Sequence, residues 1–127
     1  MQDNIIEVEG LAKSYGAVHA VQGISFAVAR GSLFSFLGVN GAGKSTTINI
    51  LCSILAKDAG SVRIAGYDLD TQADQIRPRV GIVFQNSVLD DLLTVRENLV
   101  CRASFYGLRG RALKERLTKL RAMFELD

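Results

Sequence analysis

The segment GVNGAGKST at positions 38–46 constrains this chain more than any other part of its sequence. It satisfies the pattern G-x-x-x-x-G-K-[ST]. The lysine lies inside a glycine-rich turn, where its charge would be poorly placed without a bound anion. The apolar run LFSFL at 33–37 precedes it and predicts a buried strand. Apolar residues at helical spacing over 48–55 predict a helix that begins at Lys44. A turn between a strand and a helix N-terminus is the context in which backbone N–H groups converge on a polyphosphate.

Each residue type in this loop has its own chemical role. The glycines permit backbone conformations and a close approach that a Cβ would block, so that N–H groups point at phosphate oxygens. Lys44 offers a point charge that reaches the β- and γ-phosphates, and the Ser45 hydroxyl suits Mg²⁺, which prefers hard oxygen ligands. Thr46 is placed to donate to the α-phosphate. The loop residues predicted to bind nucleotide are Gly38, Asn40, Gly41, Ala42, Gly43, Lys44, Ser45 and Thr46.

Four further short segments predict strands. Residues 5–9 (IIEVE) and 24–28 (ISFAV) alternate or run apolar over strand length, which is compatible with one antiparallel sheet. Residues 61–65 (SVRIA) alternate and are followed by a glycine, which predicts an edge or hairpin strand. The run VGIVF at 80–84 predicts another strand, because it is apolar and bounded by a proline and a glutamine.

The carboxyl-terminal part of the chain predicts two helices. Thr94 and Glu97 have the spacing of a capping box, and apolar residues on one face continue to Gly107, where the helix is expected to end. Residues 111–126 repeat the helical pattern. Their apolar positions are Leu113, Leu117, Leu120 and Phe124.

Length and composition narrow the class of protein. The chain has 127 residues and a mass of 13.8 kDa, with 48% hydrophobic and 22% charged residues. These values are typical of one globular domain or part of one, here 1–127, and they exclude a multidomain enzyme and a disordered chain. Cys52 and Cys101 lack the spacing of a zinc site or a redox dithiol, which favours a reduced, intracellular compartment. No stretch approaches the roughly 18 apolar residues of a membrane span.

The order of these motifs resembles the nucleotide-binding domain of ABC transporters over essentially the whole chain. The run LAKSYGAVHAVQGISFAVARGSLFSFLGVNGAGKSTTINILCSIL is similar to the opening of that family, and it places Tyr15 where an aromatic ring stacks on adenine. GIVFQ supplies Gln85 where the family has a glutamine that contacts Mg²⁺ or the attacking water and senses the membrane domain. The resemblance therefore implies catalytic roles for Lys44 and Gln85, and Mg²⁺ ligation by Ser45 and Gln85.

The resemblance also implies a fold, ligands and partners. The expected fold is an α/β P-loop NTPase core with an amino-terminal antiparallel β subdomain, ending before the signature motif and the Walker B strand. The expected ligands are ATP and Mg²⁺, and the expected partners are a membrane-spanning permease and a second nucleotide-binding domain. The chain would then lie in the cytoplasm, peripheral to the membrane. The segments GAGKSTTINILCSILAKDAGSVRIAGYDL and LDDLLTVRENL are most similar to the drug, antibiotic and polysaccharide exporters of the family.

Residues that hydrolysis requires in this family are not found in their context. No apolar strand predicted from the sequence ends in carboxylates that would hold Mg²⁺ and activate water. The acidic ending MFELD belongs to the last predicted helix, and His19 precedes the phosphate loop, where it is expected in an exposed loop and not as a switch histidine. We therefore expect the amino-terminal half of a domain that binds MgATP without hydrolysing it alone. Uncovered apolar edges would favour its self-association.

Three other functions stay open from the sequence. A GTPase or a kinase would share the loop, although no N-K-x-D guanine motif follows it. A complete, non-catalytic nucleotide-binding module is the second alternative. The third is nucleic-acid binding, because residues 101–127 hold seven basic residues against three acidic ones. No aromatic platform accompanies these charges, so nucleic acid is not an expected partner.

Overall fold

The chain forms two compact units, residues 1–82 and residues 83–127. The computed structural model describes residues 3–39, 41 and 43–126. Within that part of the chain, no helix is both long enough and apolar enough to cross a bilayer. A single domain over 1–127 stays a prediction.

The first unit is built on a four-stranded antiparallel sheet. Its strands are β1 (Asn4–Tyr15), β2 (Val18–Ala29), β3 (Ala59–Ile64) and β4 (Tyr67–Asp68), in the spatial order β2-β1-β3-β4. All three pairings are antiparallel. The expected antiparallel pairing of 5–9 with 24–28 is confirmed, within strands longer than the sequence pattern predicted. The hairpin strand expected at 61–65 is confirmed as β3.

A bulge in β1 bends the sheet at Gly10. The pairing of β1 shifts register between Val8 and Leu11 on one side and between Glu9 and Ala12 on the other. Gly10 has φ 59° there, and its N–H donates to Ser25 Oγ at 2.9 Å. β3 passes so close that a Cβ on Gly60 would lie 2.5 Å from the Gly10 carbonyl oxygen. The bulge therefore depends on glycine in both strands.

The core of the first unit lies between this sheet and two helices. These helices are α1 (Lys44–Leu51) and α2 (Ala73–Ile76), and a 3₁₀ turn at Arg77–Arg79 follows α2. The predicted start of α1 at Lys44 is confirmed, and the helix ends four residues before Leu55, which still packs against the core. The buried apolar residues of the core are Val8, Leu11, Val21, Ile50, Leu51, Val62, Ile64, Leu69 and Ile76.

The strand predicted at 33–37 is wrong. Residues 32–39 have no regular secondary structure, and the side chains of Leu33 and Leu37 are 99% and 91% exposed. Phe34 and Phe36 instead pack on Phe26 of β2, with ring centroids 5.5 and 5.1 Å from it. A strand needs a neighbouring backbone to accept and donate its hydrogen bonds, and no described segment pairs with this one.

The strand predicted at 80–84 is also wrong, for the same reason. These residues have no regular secondary structure in the described chain. Val80 packs against the core of the first unit. Val83, in the second unit, is 99% exposed. An apolar pattern indicates that a segment tends to be buried, but it does not indicate which strand would pair with it.

The second unit contains two helices, α3 (Val95–Phe105) and α4 (Gly110–Met123). The predicted capping box is confirmed: Glu97 N–H donates to Thr94 Oγ1 at 3.2 Å, and Thr94 N–H donates to Glu97 Oε2 at 2.7 Å. The buried Asn98 ties this helix start to the preceding turn, because its amide nitrogen donates to the carbonyls of Asp90, Leu93 and Thr94. α4 ends three residues before the predicted Leu126.

Candidate nucleotide-binding site

The phosphate loop reaches α1 through two glycines with left-handed backbone. Gly41 has φ 89° and Gly43 has φ 85°, a region that residues with a Cβ rarely adopt. At Gly43 the space is also restricted, because a Cβ would lie 2.3 Å from the Ala20 carbonyl oxygen of β2. The left-handed backbone expected of loop glycines is thus found at Gly41 and Gly43. The predicted binding residues Asn40 and Ala42 lie outside the described residues.

No side chain caps the amino-terminal end of α1. Its N-cap is Gly43, which has no side chain to accept the first N–H groups, and its first turn holds no acidic residue. The first helical backbone bond runs from Thr47 N–H to the Gly43 carbonyl at 2.9 Å. The positive end of the helix dipole and the leading N–H groups therefore favour an anion here.

Thr47 is a residue that the sequence reasoning missed. It is 2% exposed, and its hydroxyl donates to the Gly43 carbonyl oxygen at 2.8 Å. Through this bond the buried side chain fixes the glycine turn against the helix. The signal that could have found it is a hydroxyl residue four positions after the N-cap, where it meets that carbonyl.

The three predicted ligand-binding side chains of α1 lie in its first turn. The Lys44 ammonium donates to the carbonyl oxygen of Gly38, so this side chain reaches back across the loop to its first residue. Ser45 is exposed and Thr46 is half-buried. The structure thus brings Lys44, Ser45 and Thr46 together with Gly38, Gly41 and Gly43, while the phosphate contacts assigned to them stay predictions.

Tyr15 ends β1 with its ring accessible. It is 49% exposed, pairs with Val18 across the β1–β2 hairpin, and has the Lys13 ammonium 5.6 Å from its ring centroid. An exposed aromatic face at a strand end is available for stacking on a planar ligand. Adenine stacking by Tyr15 stays a prediction.

A polar network fixes the backbone next to Tyr15. Asp58 Oδ2 accepts the Ser14 N–H at 2.7 Å, and its Oδ1 accepts the Lys13 ammonium at 3.3 Å. These contacts, the Ser14 N–H first, hold the pKa of Asp58 below its usual value. On the other side, Ser14 Oγ lies 2.9 Å from His19 Nδ1. His19 is exposed as expected, but it belongs to strand β2 and not to a loop.

Gln85 belongs to the second unit. It lies in an exposed bend at residues 85 and 86. Its predicted contact with Mg²⁺ or water stays a prediction. The described residues include no group of three or more His, Cys, Asp and Glu side chains that could hold a metal ion.

The G-x-x-x-x-G-K-[ST] loop, followed by an uncapped helix that packs on an antiparallel sheet, defines a P-loop domain. A family model described as ABC transporter matches residues 21–127. The chain belongs to the ABC transporter family, which confirms the resemblance seen in the sequence.

Individual relatives agree with this assignment. The probable multidrug ABC transporter ATP-binding protein YbhF of Escherichia coli (strain K12) is 38% identical over 98% of this chain, which covers 22% of that protein. The Nod factor export ATP-binding protein I of Ralstonia nicotianae is 40% identical over 97% of this chain and 38% of its own length. A solved structure described as an ATP binding subunit of an ABC transporter is 33% identical, with a TM-score of 0.80 over 96% of this chain and 51% of that one.

These comparisons also bear on the fold and the length. The α/β P-loop fold with an amino-terminal antiparallel sheet is confirmed. The predicted similarity to export proteins is confirmed by relatives named for multidrug transport and Nod factor export. The chain spans about half of the solved relative and between about a fifth and two fifths of these curated relatives.

Proposed function

We propose that this chain binds MgATP as part of the ATP-binding subunit of an ABC transporter, in which ATP binding and hydrolysis drive transport across a membrane. The observation that carries the proposal is the uncapped amino-terminal end of α1. It follows two glycines with left-handed backbone, and the Lys44 ammonium reaches back to the Gly38 carbonyl. Free N–H groups, the positive end of a helix dipole and a nearby cation together favour a polyphosphate.

The residues present also fit a magnesium ion. The Ser45 hydroxyl is exposed in the first turn of α1 and is a hard oxygen donor, the type that Mg²⁺ prefers. We assign Ser45 as a Mg²⁺ ligand, and the family resemblance assigns the same role to Gln85. Bound Mg²⁺ would neutralise charge on the phosphates. Lys44 would hold the phosphate chain, and the Tyr15 ring would fix the base by stacking.

The wider setting follows from the family. The proposed partners are a membrane-spanning permease and a second nucleotide-binding domain, and the proposed location is the cytoplasmic face of the membrane. The relatives' names support an exporter, since one is a probable multidrug transporter protein and another serves Nod factor export. We expect the 127-residue chain alone to bind MgATP without hydrolysing it, because its sequence offers no carboxylate at the end of an apolar strand.

Replacement of Lys44 tests the proposal. Lys44→Ala removes the cation that spans the loop, and we expect ATP to bind at least about tenfold more weakly, the loss typical of one charge-assisted contact. Isothermal titration calorimetry with ATP and Mg²⁺ measures this change. Lys119→Ala, an exposed lysine of α4, is the matched control and should leave the affinity unchanged.

Two outcomes would contradict the proposal. One is equal ATP affinity in the Lys44→Ala and unmodified proteins. The other is tighter binding of GTP than of ATP under the same conditions, which would favour the GTPase alternative. Neither the transported compound nor the permease enters this test, so it addresses the nucleotide site alone.

A further inference from the structure

The carboxylate of Asp58 ties the start of β3 to the end of β1. Asp58 directly precedes β3, and its own N–H donates to the Ala12 carbonyl oxygen at 2.9 Å. Its side chain makes two more bonds to β1, since Oδ2 accepts the Ser14 N–H at 2.7 Å and Oδ1 accepts the Lys13 ammonium at 3.3 Å. Asp58 therefore holds three successive residues of β1, and Tyr15 follows directly after them.

The Lys13 side chain links this carboxylate to the Tyr15 ring. It is only 15% exposed, and its ammonium lies over the ring, 5.6 Å from the ring centroid. A lysine that contacts both a carboxylate and an aromatic ring has lost much of the rotamer freedom of a surface lysine. A base that stacks on Tyr15 therefore takes the opposite face of the ring, because the cation occupies this one.

The strand register places Tyr15 on the side of the sheet that meets the phosphate loop. Lys13 pairs with Val21 of β2, and directly paired residues have their side chains on one face. That face meets the loop, because a Cβ on Gly43 would lie 3.2 Å from the Val21 Cγ2 atom. Tyr15 comes two residues after Lys13 on β1, so its side chain lies on the same face.

We propose that Asp58 is a positioning residue of the nucleotide site, which holds the end of β1 and the Lys13 ammonium so that the Tyr15 ring meets the adenine base. This inference rests on the proposed function, since it needs a nucleotide with its phosphates in the loop and its base on Tyr15. Asp58 itself touches no ligand. It orders the ring before the nucleotide binds, so that less conformational entropy is lost on binding.

The test compares two ligands, ATP and inorganic triphosphate, each with Mg²⁺, by isothermal titration calorimetry. Inorganic triphosphate has no base, so its affinity for the phosphate loop does not depend on Tyr15. Asp58→Ala removes the two side-chain bonds to β1, and Asp70→Ala is the matched control. Asp70 also forms an ion pair with a lysine, Lys57, at 2.7 Å, and its replacement changes the net charge by the same amount. Circular dichroism checks that each variant folds.

We expect Asp58→Ala to weaken ATP binding about threefold, the cost of ordering one side chain, and not to weaken triphosphate binding. Loss of a carboxylate by itself strengthens the binding of an anion, so weaker ATP binding has the opposite sign to the electrostatic effect. Tyr15→Ala should weaken ATP binding about tenfold, the loss typical of one stacked base. When Tyr15→Ala is already present, Asp58→Ala should cause no further loss. Asp70→Ala should not weaken the binding of either ligand.

Three results would overturn the role of Asp58 alone. These are unchanged ATP affinity in Asp58→Ala, an equal loss for ATP and triphosphate, and a further loss of ATP affinity when Asp58→Ala is added to Tyr15→Ala. If Asp58→Ala does not fold, Lys13→Met decides, because it keeps the bond between Asp58 and the Ser14 N–H. Lys13→Met should weaken ATP binding more than triphosphate binding, and an equal change in both would overturn the proposal.

Failure of the underlying site has a different result. If Lys44→Ala changes the affinity for neither ATP nor triphosphate, the proposed nucleotide site is overturned. If Lys44→Ala weakens both ligands but Tyr15→Ala leaves ATP affinity unchanged, the base does not stack on Tyr15, and Asp58 has no ring to position. Weaker ATP binding in both variants, with no effect of Asp58→Ala, would overturn the role of Asp58 and leave the nucleotide site intact.

Discussion

At the scale of single residues, Gly43 shows how one missing side chain shapes the phosphate loop. Two independent constraints act there, a left-handed backbone and the Ala20 carbonyl oxygen 2.3 Å from where a Cβ would be. Gly41 has the same backbone requirement, but no atom of the described residues lies within 4 Å of where its Cβ would be. The two glycines are therefore a natural pair for separating backbone strain from steric exclusion.

We predict that Gly43→Ala destabilises the protein more than Gly41→Ala does. Left-handed backbone costs an alanine roughly 1–2 kcal/mol, and this cost applies to both variants. Gly43→Ala must also push β2 away from the loop, which raises its total to about 3 kcal/mol or more. Urea unfolding measures the difference. Equal unfolding free energies for the two variants would contradict the close approach of β2 to the loop.

At the scale of elements, the start of α3 is held by a capping box whose acidic member can titrate. The Thr94 N–H and then the Thr94 hydroxyl hold the pKa of Glu97 below its usual value. A lowered pKa means that the unfolded chain binds the proton more readily than the folded one. The stabilisation is therefore present above the ordinary glutamate pKa and is lost as pH falls through the lower, folded value.

We predict that Glu97→Gln removes the part of the pH dependence of stability that comes from Glu97. Glutamine preserves the capping geometry but cannot ionise, so the variant should be less stable than the unmodified chain near neutrality and should approach it in acid. Thermal unfolding between about pH 3 and pH 7, followed by circular dichroism, measures both proteins. Because Asp58 and Asp68 also have lowered pKa values, only the difference between the two proteins reports on Glu97. A difference that does not change with pH would contradict the prediction.

The same elements show what the sequence could and could not predict. The capping box at Thr94 and the start of α1 at Lys44 were predictable, because their signals lie within a few neighbouring residues. The strands predicted at 33–37 and 80–84 failed, because pairing depends on a distant segment that an apolar pattern does not identify. In the site, the loop motif predicted the glycine turn and the helix that follows it, whereas the close approach of Ala20 to Gly43 depends on the packing of β2 on the loop, which no local pattern indicates.

At the scale of the whole molecule, the residues that failed to form a strand leave apolar surface in contact with water. Alternate residues of 33–37 point in opposite directions: Phe34 and Phe36 pack on Phe26, while Leu33 and Leu37 are almost fully exposed. An extended apolar segment with unpaired backbone is a template for pairing with another chain. The chain spans about half the length of the solved relative, so this surface need not be exposed in longer relatives.

We predict that the 127-residue chain associates with itself through this segment. Sedimentation velocity over a range of concentrations should show a dimer or larger species. The double variant Leu33→Lys with Leu37→Lys should shift the distribution toward monomer, because charge on an extended edge opposes its pairing. Leu92→Lys, an equally exposed leucine of the second unit, is the matched control and should leave association unchanged. A monodisperse monomer of the unmodified chain would contradict self-association. If Leu92→Lys reduces association as much as the double variant does, general hydrophobicity and not pairing of residues 33–37 drives it.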